Sequence, residues 1–413
     1  MFVNLKIKNI GGIKEMIDMN FISKSRNRED TKTCIKTPDG IFINKQIVFI
    51  GSNASGKSSI LRAIAEIGDF ICATLYRKKI LENIENTDDI VELKRFFAQM
   101  SVIKQNVNAL EQNSFFQADM FIRSEDGDTT GYYKYELEFD SNMEKDGVIK
   151  ELLTYRPTYN SKKVITVVET KNIKESQVGY LSLYANNLGL GINKTKYINT
   201  FVNHYTKFST FIQASSFQFE FDSDILNWSK SKPQEVLALV RIFDKNITEI
   251  EIMKGKYNRD MVYFLTETNQ KLEYDDLSNG TRKMLVVIYQ ILKTIKANGV
   301  CLIDEIEMGL YKELVTLILK TFYMEDNFSQ ILFTSNYPEI IDENFKFDQV
   351  FCLKKEYDTT VVTKLKDYIF EDGSKIRADM SLSKAYTSGK ISLHPSKENI
   401  DEFVNNIKLN LNK

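Results

Sequence analysis

The first residues of the chain alternate between apolar and polar positions, which is the period of a β-strand. Alternation over residues 2–10 is followed by the pair Gly11-Gly12 and by a second apolar segment, Ile13–Phe21. Two such segments joined by glycines predict a β-hairpin or a pair of strands. A polar loop then covers about residues 23–38. We therefore expect the fold to open with β-structure.

The middle of the chain changes its period twice. Residues 77–112 keep helical spacing without proline or glycine, and we expect two antiparallel helices there. The pattern of residues 115–140 is that of a hairpin, and Val148–Tyr155 and Lys163–Glu169 continue as strands. Residues 175–230 return to helical spacing. In sequence order, this part of the chain thus predicts helices, then a small sheet, then helices again.

Helices and strands also alternate in the last part of the chain. Pro233 stands before a helical pattern over Glu235–Phe243, and two strands are expected at Ile247–Met253 and Met261–Thr266. Ser278 then precedes a strongly apolar helical run and has the side chain of a good N-cap. By itself this last feature says only that a helix begins.

The most informative stretch lies between an apolar run, Gln46–Ile50, and the helical pattern that begins at Ile60. It reads Gly51-Ser-Asn-Ala-Ser-Gly56-Lys57-Ser58-Ser59 and fits G-x-x-x-x-G-K-[ST] in a strand-loop-helix context. Glycines allow the backbone to fold around an anion with its N–H groups pointing inward. The start of the following helix adds partial positive charge and unpaired N–H groups. The stretch predicts a nucleotide phosphate site.

The predicted roles within this loop follow from the chemistry of each group. Lys57 can reach the β- and γ-phosphates of ATP, and the Ser58 hydroxyl can ligate Mg²⁺. The remaining residues contribute mainly backbone N–H groups. The predicted nucleotide-binding residues of the loop are Gly51, Ser52, Asn53, Ala54, Ser55, Gly56, Lys57, Ser58 and Ser59.

A second apolar strand, Val300–Ile303, ends in two acids. A carboxylate at the carboxyl edge of a strand is where a Mg²⁺ ligand belongs beside a phosphate loop. Asp304 is therefore predicted to hold the metal through water. Glu305 is not needed for the metal, and its carboxylate is suited to polarising an attacking water.

The composition limits the possible classes of protein but does not indicate a specific function. The chain has 413 residues, 43% of them hydrophobic, and a net charge of −1, so it is expected to be globular, without a global field that would attract nucleic acid or a membrane. No run of about 18 apolar residues is present, and the first residues do not resemble a signal peptide. Four isolated cysteines suit buried thiols in a reducing cytosol, so we expect a cytoplasmic protein without a membrane partner. They are Cys34, Cys72, Cys301 and Cys352.

The order of these motifs resembles a known superfamily. The phosphate loop is followed by a long inserted segment, the stretch Leu277–Lys283 (L-S-x-G-x-[RK]-[RK]), the acidic strand Leu302–Glu305 and a further strand within Gln330–Ile340. The chain is similar in this to ABC-type ATPases of the SMC and OLD-like branch. It most resembles the stand-alone AAA family ATPases of bacterial phage-defence operons, of which the PARIS-type and Septu-type subunits are examples. A tail from Arg377 to Lys390 resembles a C-terminal element of that group.

The resemblance implies a fold class and a domain order. The expected class is α/β: an ABC-type phosphate-loop ATPase head with a mixed sheet, plus a short helical and β insertion and no long coiled coil. Residues 1–75 would form the first half of the head and residues 235–413 the second half, with the signature helix, acidic strand and switch strand. Residues 76–234 would form the inserted lobe, which serves as a lid or binds a partner.

The same resemblance implies a head-to-head homodimer, or a higher oligomer built from it, with ATP and Mg²⁺ as cofactors. In such a dimer Ser278, Asn279 and Gly280 of one subunit contact the γ-phosphate held by the loop of the other. A second helix N-terminus and a serine hydroxyl suit the far end of a triphosphate. Hydrolysis would then remove the contacts that hold the dimer closed.

The chain departs from the family pattern at several positions. Asn336 stands where a histidine is usual, and because asparagine neither titrates near neutral pH nor carries positive charge, we expect slow ATP hydrolysis. The segment Glu307–Tyr311 does not end in the Leu-His pair that is usual in the family. Gln117 is the candidate for a glutamine that senses the γ-phosphate. Neither a His-based zinc site nor an HNH site can be built from His204 and His394, which are far apart in sequence and are interpreted as structural or solvated.

Two functions remain open from the sequence. In the first, the ATP-bound dimer is a sensor or scaffold that controls a separate effector, a nuclease encoded nearby, in defence against phage, with a phage-derived trigger. In the second, an SMC-like clamp binds DNA in repair or chromosome maintenance. The clamp needs a basic groove, for which the candidate residues are Lys78, Lys79, Lys94, Arg95 and Lys104.

Overall fold

The structure is a computed structural model of the chain. It describes the residues of twelve segments, which contain the phosphate loop, the signature stretch, the acidic strand and the strand before Asn336. The segments are 1–23, 33–81, 113–125, 127–139, 148–171, 192–211, 223–254, 260–307, 310–322, 328–370, 373–377 and 380–387.

Strands and helices alternate through most of the described chain. The strands are β1 (Phe2–Lys8), β2 (Ile17–Asn20), β3 (Cys34–Lys36), β4 (Phe42–Asn44), β5 (Gln46–Gly51), β6 (Ser114–Ile122), β7 (Gly131–Phe139), β8 (Val148–Arg156), β9 (Ile165–Lys171), β10 (Ser209–Phe211), β11 (Ile247–Lys254), β12 (Asp260–Thr266), β13 (Lys271–Leu272), β14 (Val300–Ile303), β15 (Gln330–Ser335), β16 (Val350–Glu356) and β17 (Thr359–Lys364). The helices are α1 (Lys57–Leu81), α2 (Ile192–Tyr205), α3 (Ser223–Ser231), α4 (Pro233–Val240), α5 (Asn279–Ala297), α6 (Lys312–Thr321), α7 (Pro338–Asn344) and α8 (Leu382–Thr387).

A mixed sheet of six strands carries the phosphate loop. Its order is β10-β14-β15-β5-β16-β17, and every neighbouring pair is parallel except β16 and β17. All positions of β5 are buried, since β15 and β16 flank it and both faces of the sheet are covered. The expected α/β class with a mixed sheet is confirmed. The loop therefore leaves the sheet from an interior strand.

A second sheet is wholly antiparallel and shares part of the core with the first. Its order is β2-β1-β6-β7-β8-β9, so the opening hairpin and the strands of residues 114–171 form one continuous sheet. The predicted hairpins and the two strands after them are confirmed. The boundaries proposed at residues 75/76 and 234/235 divide the sequence, but they do not divide the sheets, because β6 pairs with β1 and β10 pairs with β14.

The hydrophobic core has two main parts, one on each face of the mixed sheet. Alternate residues of β5 serve both parts: Ile47 and Phe49 contact the part shared with α1, α2 and the antiparallel sheet. Val48 and Ile50 contact the part built on α4, α5, α6 and α7. Because the mixed sheet is sandwiched in this way, the carboxyl ends of its strands are held in fixed positions relative to one another.

Other predictions differ slightly from the structure. The helix after the loop reaches Leu81, beyond the expected end near Tyr76. β3 and β10 lie in segments expected to be a loop and a helix. Most of the helix pair expected over residues 77–112 lies outside the described residues, as does the end of the tail. No helix of the described chain is long and apolar enough to cross a membrane.

Candidate functional site

The phosphate loop turns tightly at the carboxyl end of β5. A Cβ at Gly51 would lie 2.4 Å from the carbonyl oxygen of Leu353, so only glycine fits beside β16. Gly56 has φ +101°, a conformation that glycine adopts at little cost, and Ala54 is also left-handed at φ +63°. Lys57 then begins α1, whose first N–H groups have no partner within the helix. The loop is shaped as an anion cradle.

Two buried hydroxyl groups of this cradle lack a partner. Ser55 Oγ and Thr360 Oγ1 are buried, and within the described residues neither has a hydrogen-bond partner. Thr360 adjoins Gly56, where a Cβ would lie 2.8 Å from the same hydroxyl. Buried polar groups are nearly always hydrogen-bonded in folded proteins. Both hydroxyls therefore fit a loop that binds a polar ligand.

Lys57 is buried at the mouth of the loop. Its Nζ donates to the carbonyl oxygen of Gly51 at 2.7 Å and to that of Ser52 at 2.9 Å. An ammonium group has three N–H donors, so these bonds leave one for a phosphate oxygen. Burial lowers the pKa of Lys57, and the surrounding carboxylates, chiefly that of Glu305, oppose the shift. The ammonium is thus placed between the loop and the acids that follow β14.

Asp304 joins the loop to two neighbouring strands. Its Oδ1 accepts a hydrogen bond from Ser58 Oγ at 3.0 Å and another from Thr334 Oγ1 at 2.7 Å. The two predicted metal ligands, Ser58 and Asp304, are therefore in contact. This follows from the register of the sheet, because β14, β15 and β5 are consecutive and end at the same edge.

Thr334 was missed as a site residue, although it holds the acids in place. Its hydroxyl accepts the N–H of Glu305 at 2.6 Å while it donates to Asp304. Glu305 has φ +48°, a left-handed conformation that costs a non-glycine residue about 1–3 kcal/mol. The N–H of Ile306 donates to the carbonyl oxygen of Thr334 at 3.1 Å. Thr334 thus stabilises the strained turn that carries the predicted catalytic carboxylate.

Replacing Thr334 with valine keeps the side-chain volume but removes this hydroxyl. We expect the free energy of unfolding to fall by about 1–3 kcal/mol, because the N–H of Glu305 loses its partner. ATP turnover should fall, and more Mg²⁺ should be needed for half-maximal turnover. Chemical denaturation and a Mg²⁺ titration of phosphate release measure both. Thr334→Ser, which keeps the hydroxyl, is the control, and equal behaviour of the valine and serine variants would contradict this role.

Glu307 fixes the start of the segment that contains Asn336. Its Oε1 accepts the N–H of Asn336 at 2.7 Å. Burial raises the pKa of Glu307, and the N–H of Asn336 opposes the shift. In the sequence, Glu307 stands out only as part of a divergent motif. The structure gives it a definite contact: it connects the turn after β14 to the turn after β15, so Asn336 lies at the same sheet edge as Asp304 and Glu305.

The predicted signature residues lie at the start of α5. Ser278 is the N-cap, as predicted, and its Oγ accepts the N–H of Thr281 at 3.1 Å. Ser278 and Asn279 are exposed, and Gly280 is partly exposed. Within the described residues, no hydrogen bond or ion pair joins this helix start to the loop of the same chain. One chain therefore presents the two predicted halves of the nucleotide site separately.

One residue of the same helix does reach the acidic turn. Lys283 is buried, and its Nζ lies 3.5 Å from the carbonyl oxygen of Glu305. Burial lowers the pKa of Lys283 to about 8, while the carboxylates of Glu307 and Glu305 oppose the shift. α5 is thus held against the turn that contains Glu305.

Ser59 and Gln117 have contacts that their predicted roles do not require. Ser59 Oγ accepts the N–H of Gly12 at 3.2 Å, so this hydroxyl fixes the opening hairpin to α1. Gln117 donates to Asp119 Oδ1 at 3.3 Å on β6. Its side chain lies on the face of the sheet opposite to Ala118, which packs in the core with α1. The structure therefore does not support Gln117 as a sensor of the γ-phosphate.

Other predicted candidates are structural or are not described. His204 is buried, and its ring lies 5.7 Å from that of Phe208. His394 lies outside the described residues. The same is true of the side chains named for a DNA-binding groove, which are Lys78, Lys79, Lys94, Arg95 and Lys104.

The donor set suits Mg²⁺ that is shared with a nucleotide. Mg²⁺ typically takes one or two protein oxygens and completes its shell with phosphate and water. Ser58 would supply one such oxygen, and Asp304 a second that holds the ion through water. Within the described residues there is no group of three or more histidine, cysteine and acidic side chains that could hold a metal without a ligand. A phosphate loop beside an acidic strand edge defines the class: a phosphate-loop ATPase.

The family of this ATPase follows from its sequence. The chain belongs to the family described as "AAA domain, putative AbiEii toxin, Type IV TA system", whose sequence profile matches residues 47–342. The match includes the loop, the signature stretch, the acidic strand and Asn336. No protein of curated function matches the chain.

Several solved structures are similar to the chain at low identity. One is an SMC head domain from Thermotoga maritima, with 10% identity and a TM-score of 0.39 over 88% of this chain and 98% of that one. A second is an SMC head bound to the C-terminal winged-helix domain of ScpA, with 12% identity and a TM-score of 0.42 over 88% and 96%. A third is an SMC head with an extended coiled coil, bound to the C-terminal domain of ScpA from Pyrococcus furiosus, with 10% identity and a TM-score of 0.41 over 94% and 98%.

Proposed function

We propose that the chain is an ABC-type ATPase that closes as a head-to-head homodimer around ATP and thereby controls a separate effector protein in defence against phage. The observation that carries the ATPase part is the contact of Ser58 Oγ with Asp304 Oδ1 at 3.0 Å. It brings the two proposed metal ligands together beside the phosphate loop.

The residues of the site have separate roles in ATP hydrolysis. The backbone of Gly51–Ser59 and the ammonium of Lys57 hold the phosphates, and Ser58 and Asp304 hold Mg²⁺. When bound, Mg²⁺ supplies positive charge to the β- and γ-phosphate oxygens. Glu305 orients a water and accepts its proton as the water oxygen attacks the γ-phosphorus. The bond from the γ-phosphorus to the bridging oxygen breaks, which leaves ADP and phosphate.

The dimer is supported by what one chain leaves exposed at this edge. Ser278 and the first turn of α5 offer a hydroxyl and helix N–H groups, and among the described residues no hydrogen bond or ion pair joins them to the loop of the same chain. Tyr311 and Tyr337 are large aromatic residues just after the acidic turn and after Asn336, with exposed fractions of 76% and 51%. Aromatic side chains are enriched where protein surfaces meet. A second copy would cover these groups and complete the phosphate site.

Replacing Ser278 with arginine tests the shared site. A bulky cation at the N-terminus of α5 opposes the helix dipole and blocks approach of a second loop. We expect this variant to bind ATP but to remain at the mass of one chain, 47.9 kDa, in light scattering with ATP. Thr268→Arg adds the same side chain at an exposed turn and should dimerise normally. A normal dimer of Ser278→Arg would contradict the shared site.

Asn336 predicts slow turnover. Its amide can hydrogen-bond a phosphate oxygen, but it adds no positive charge as the γ-phosphate separates. We expect fewer than about 10 turnovers per second, the median for enzymes. Asn336→His should raise the rate about tenfold, since about 1.4 kcal/mol of added stabilisation is a factor of ten. Asn336→Gln is the control for the amide. A faster wild type, or a histidine variant without gain, would contradict this explanation in phosphate-release assays.

The role in defence is supported by the family description, which includes the words "putative AbiEii toxin, Type IV TA system". Such a description suits a chain that acts together with a second encoded protein. The test compares plating efficiency of phage on cells that express this chain with its neighbouring gene, with either alone, or with Lys57→Ala in place of the wild type. Protection should require both genes and an intact Lys57. Protection by the neighbouring gene alone would show that defence does not require this chain.

A further inference from the structure

A cavity of about 910 Å³ lies at the opposite edge of the mixed sheet from the phosphate loop. Asn298 and Phe328, which line it, stand just before β14 and β15, whereas Asp304 follows the other end of β14. The four residues of β14 separate the two edges by about 13 Å at 3.3 Å per residue. The cavity is therefore a second site and not an extension of the first.

Its charge differs from that of the whole chain, in which basic and acidic residues nearly cancel. Four cations line it, Arg123, Lys196, Lys207 and Lys296, against the single carboxylate of Glu125. Glu125 lies 3.6 Å from the ammonium of Lys207. Within the described residues, the other three cations form no ion pair. The cations come from three separate segments, so the fold concentrates positive charge here.

Neutral donors accompany these cations. The amides of Asn199, Asn203 and Asn298 line the cavity. The hydroxyls of Thr200 and Thr206 also line it, but they are bonded to Thr129 Oγ1 at 2.7 Å and to the carbonyl oxygen of Asn203 at 2.8 Å. Lysine and arginine together with amide donors form a set that binds phosphate groups in proteins. A site of this composition favours an anion with several oxygen acceptors.

The floor and one wall add apolar surface. Phe121, Ile122 and His204 are buried beneath the cavity, and burial holds the pKa of the His204 imidazole well below its usual value. The guanidinium of Arg123 lies 4.6 Å from the ring centroid of Phe328. A planar guanidinium supported in this way can stack on an aromatic base with its other face.

We propose that this cavity binds a small phosphorylated ligand of nucleotide size, in addition to the ATP at the phosphate loop. Its phosphates meet the lysines, and its base lies against Arg123. The volume falls within the range of about 300–1,000 Å³ usual for small-molecule pockets. A buried floor suits a ligand that enters the cavity better than a duplex that lies across it. Lys296 belongs to the last turn of α5, so the ligand contacts the same helix that Ser278 caps.

The test uses the Lys57→Ala chain, in which the phosphate loop is disabled. Equilibrium dialysis is run with labelled ADP, with the linear dinucleotide pApA, with inorganic phosphate and with a single-stranded oligonucleotide. We expect saturable binding of ADP or pApA, one per chain, that weakens as salt rises. Lys196→Gln with Lys296→Gln should weaken it about a hundredfold, about tenfold for each ammonium group removed. Lys245→Gln with Lys375→Gln, two exposed lysines elsewhere, should change nothing.

The proposal is overturned if neither nucleotide binds, or if the Lys196 and Lys296 substitutions leave binding unchanged. Binding of the oligonucleotide alone would mean a nucleic-acid surface, and binding of phosphate alone would mean a simple anion site. Both results reject a nucleotide-sized ligand. If Lys57→Ala does not fold, the wild-type chain is titrated with ADP and should bind two ADP molecules, one at each site. The chain with both lysine substitutions should lose only the ADP bound in the cavity. Loss of the ADP bound at the phosphate loop instead would concern the proposed ATPase site.

Discussion

We expect Lys57→Ala to lose ATP binding by about a hundredfold or more. The ammonium already sits at the mouth of the loop, with one donor left for a phosphate oxygen. Charge-assisted hydrogen bonds contribute about 1.5–3 kcal/mol each, and the upper end of this range for the one remaining donor corresponds to about a hundredfold. Titration calorimetry with a non-hydrolysable ATP analogue measures the loss directly.

The control for this variant is Lys245→Ala, which removes an exposed lysine. Circular dichroism should show both variants folded, because the contacts of Lys57 lie within the loop itself. If Lys57→Ala bound the analogue as tightly as the control, Gly51–Ser59 would not be the nucleotide site. The proposed dimer would then have no ligand to share.

Glu305→Gln should separate binding from hydrolysis. An amide of the same shape can still lie in the turn held by Thr334, but it cannot accept a proton from water. Loss of a general base typically costs about 10²–10⁴ in rate. We therefore expect almost no phosphate release and normal affinity for ATP. With ATP present, light scattering should show a stable species of twice the chain mass of 47.9 kDa.

Glu313→Gln provides a matched comparison, since Glu313 is exposed in the first turn of α6, shortly after the acidic turn. It should hydrolyse ATP at the wild-type rate, so its dimer should dissociate once the ATP is consumed. Hydrolysis by Glu305→Gln at the rate of Glu313→Gln would show that another group activates the water. Glu307, already bonded to the N–H of Asn336, would be the next candidate.

Local patterns in the sequence predicted the elements well. The alternation of residues 2–21, the hairpin of residues 115–140 and the N-cap at Ser278 all have counterparts in the structure. Each depends on neighbours in sequence, through side-chain alternation or a capping hydroxyl. The short strand β10 had no such signal. Its three residues lie in an aromatic-rich segment of helical spacing, and they are a strand because they pair with β14.

Contacts between residues that are distant in sequence could not be predicted from these patterns. Thr334 follows the apolar run Ile331–Phe333 and precedes Ser335, and nothing near it in sequence shows that Asp304 and Glu305 bond to its hydroxyl. The alternation of β6 predicted a strand but not which face carries Gln117. A polar residue that is fully buried in an interior strand is nevertheless a usable signal, because burial without a partner would be costly. Applied to the strand before Asn336, that rule would have selected Thr334 together with Gln330 and Ser335.

The position of β5 between β15 and β16 has a consequence for synthesis of the chain. Both neighbours are translated long after β5, from Gln330 and Val350 onward. Until they leave the ribosome, β5 has no partner on either side, and the loop after it lacks a fixed anchor. Pairings of such long sequence separation form slowly and late. An unfinished chain should therefore be unable to capture ATP, and two nascent copies cannot close on each other prematurely.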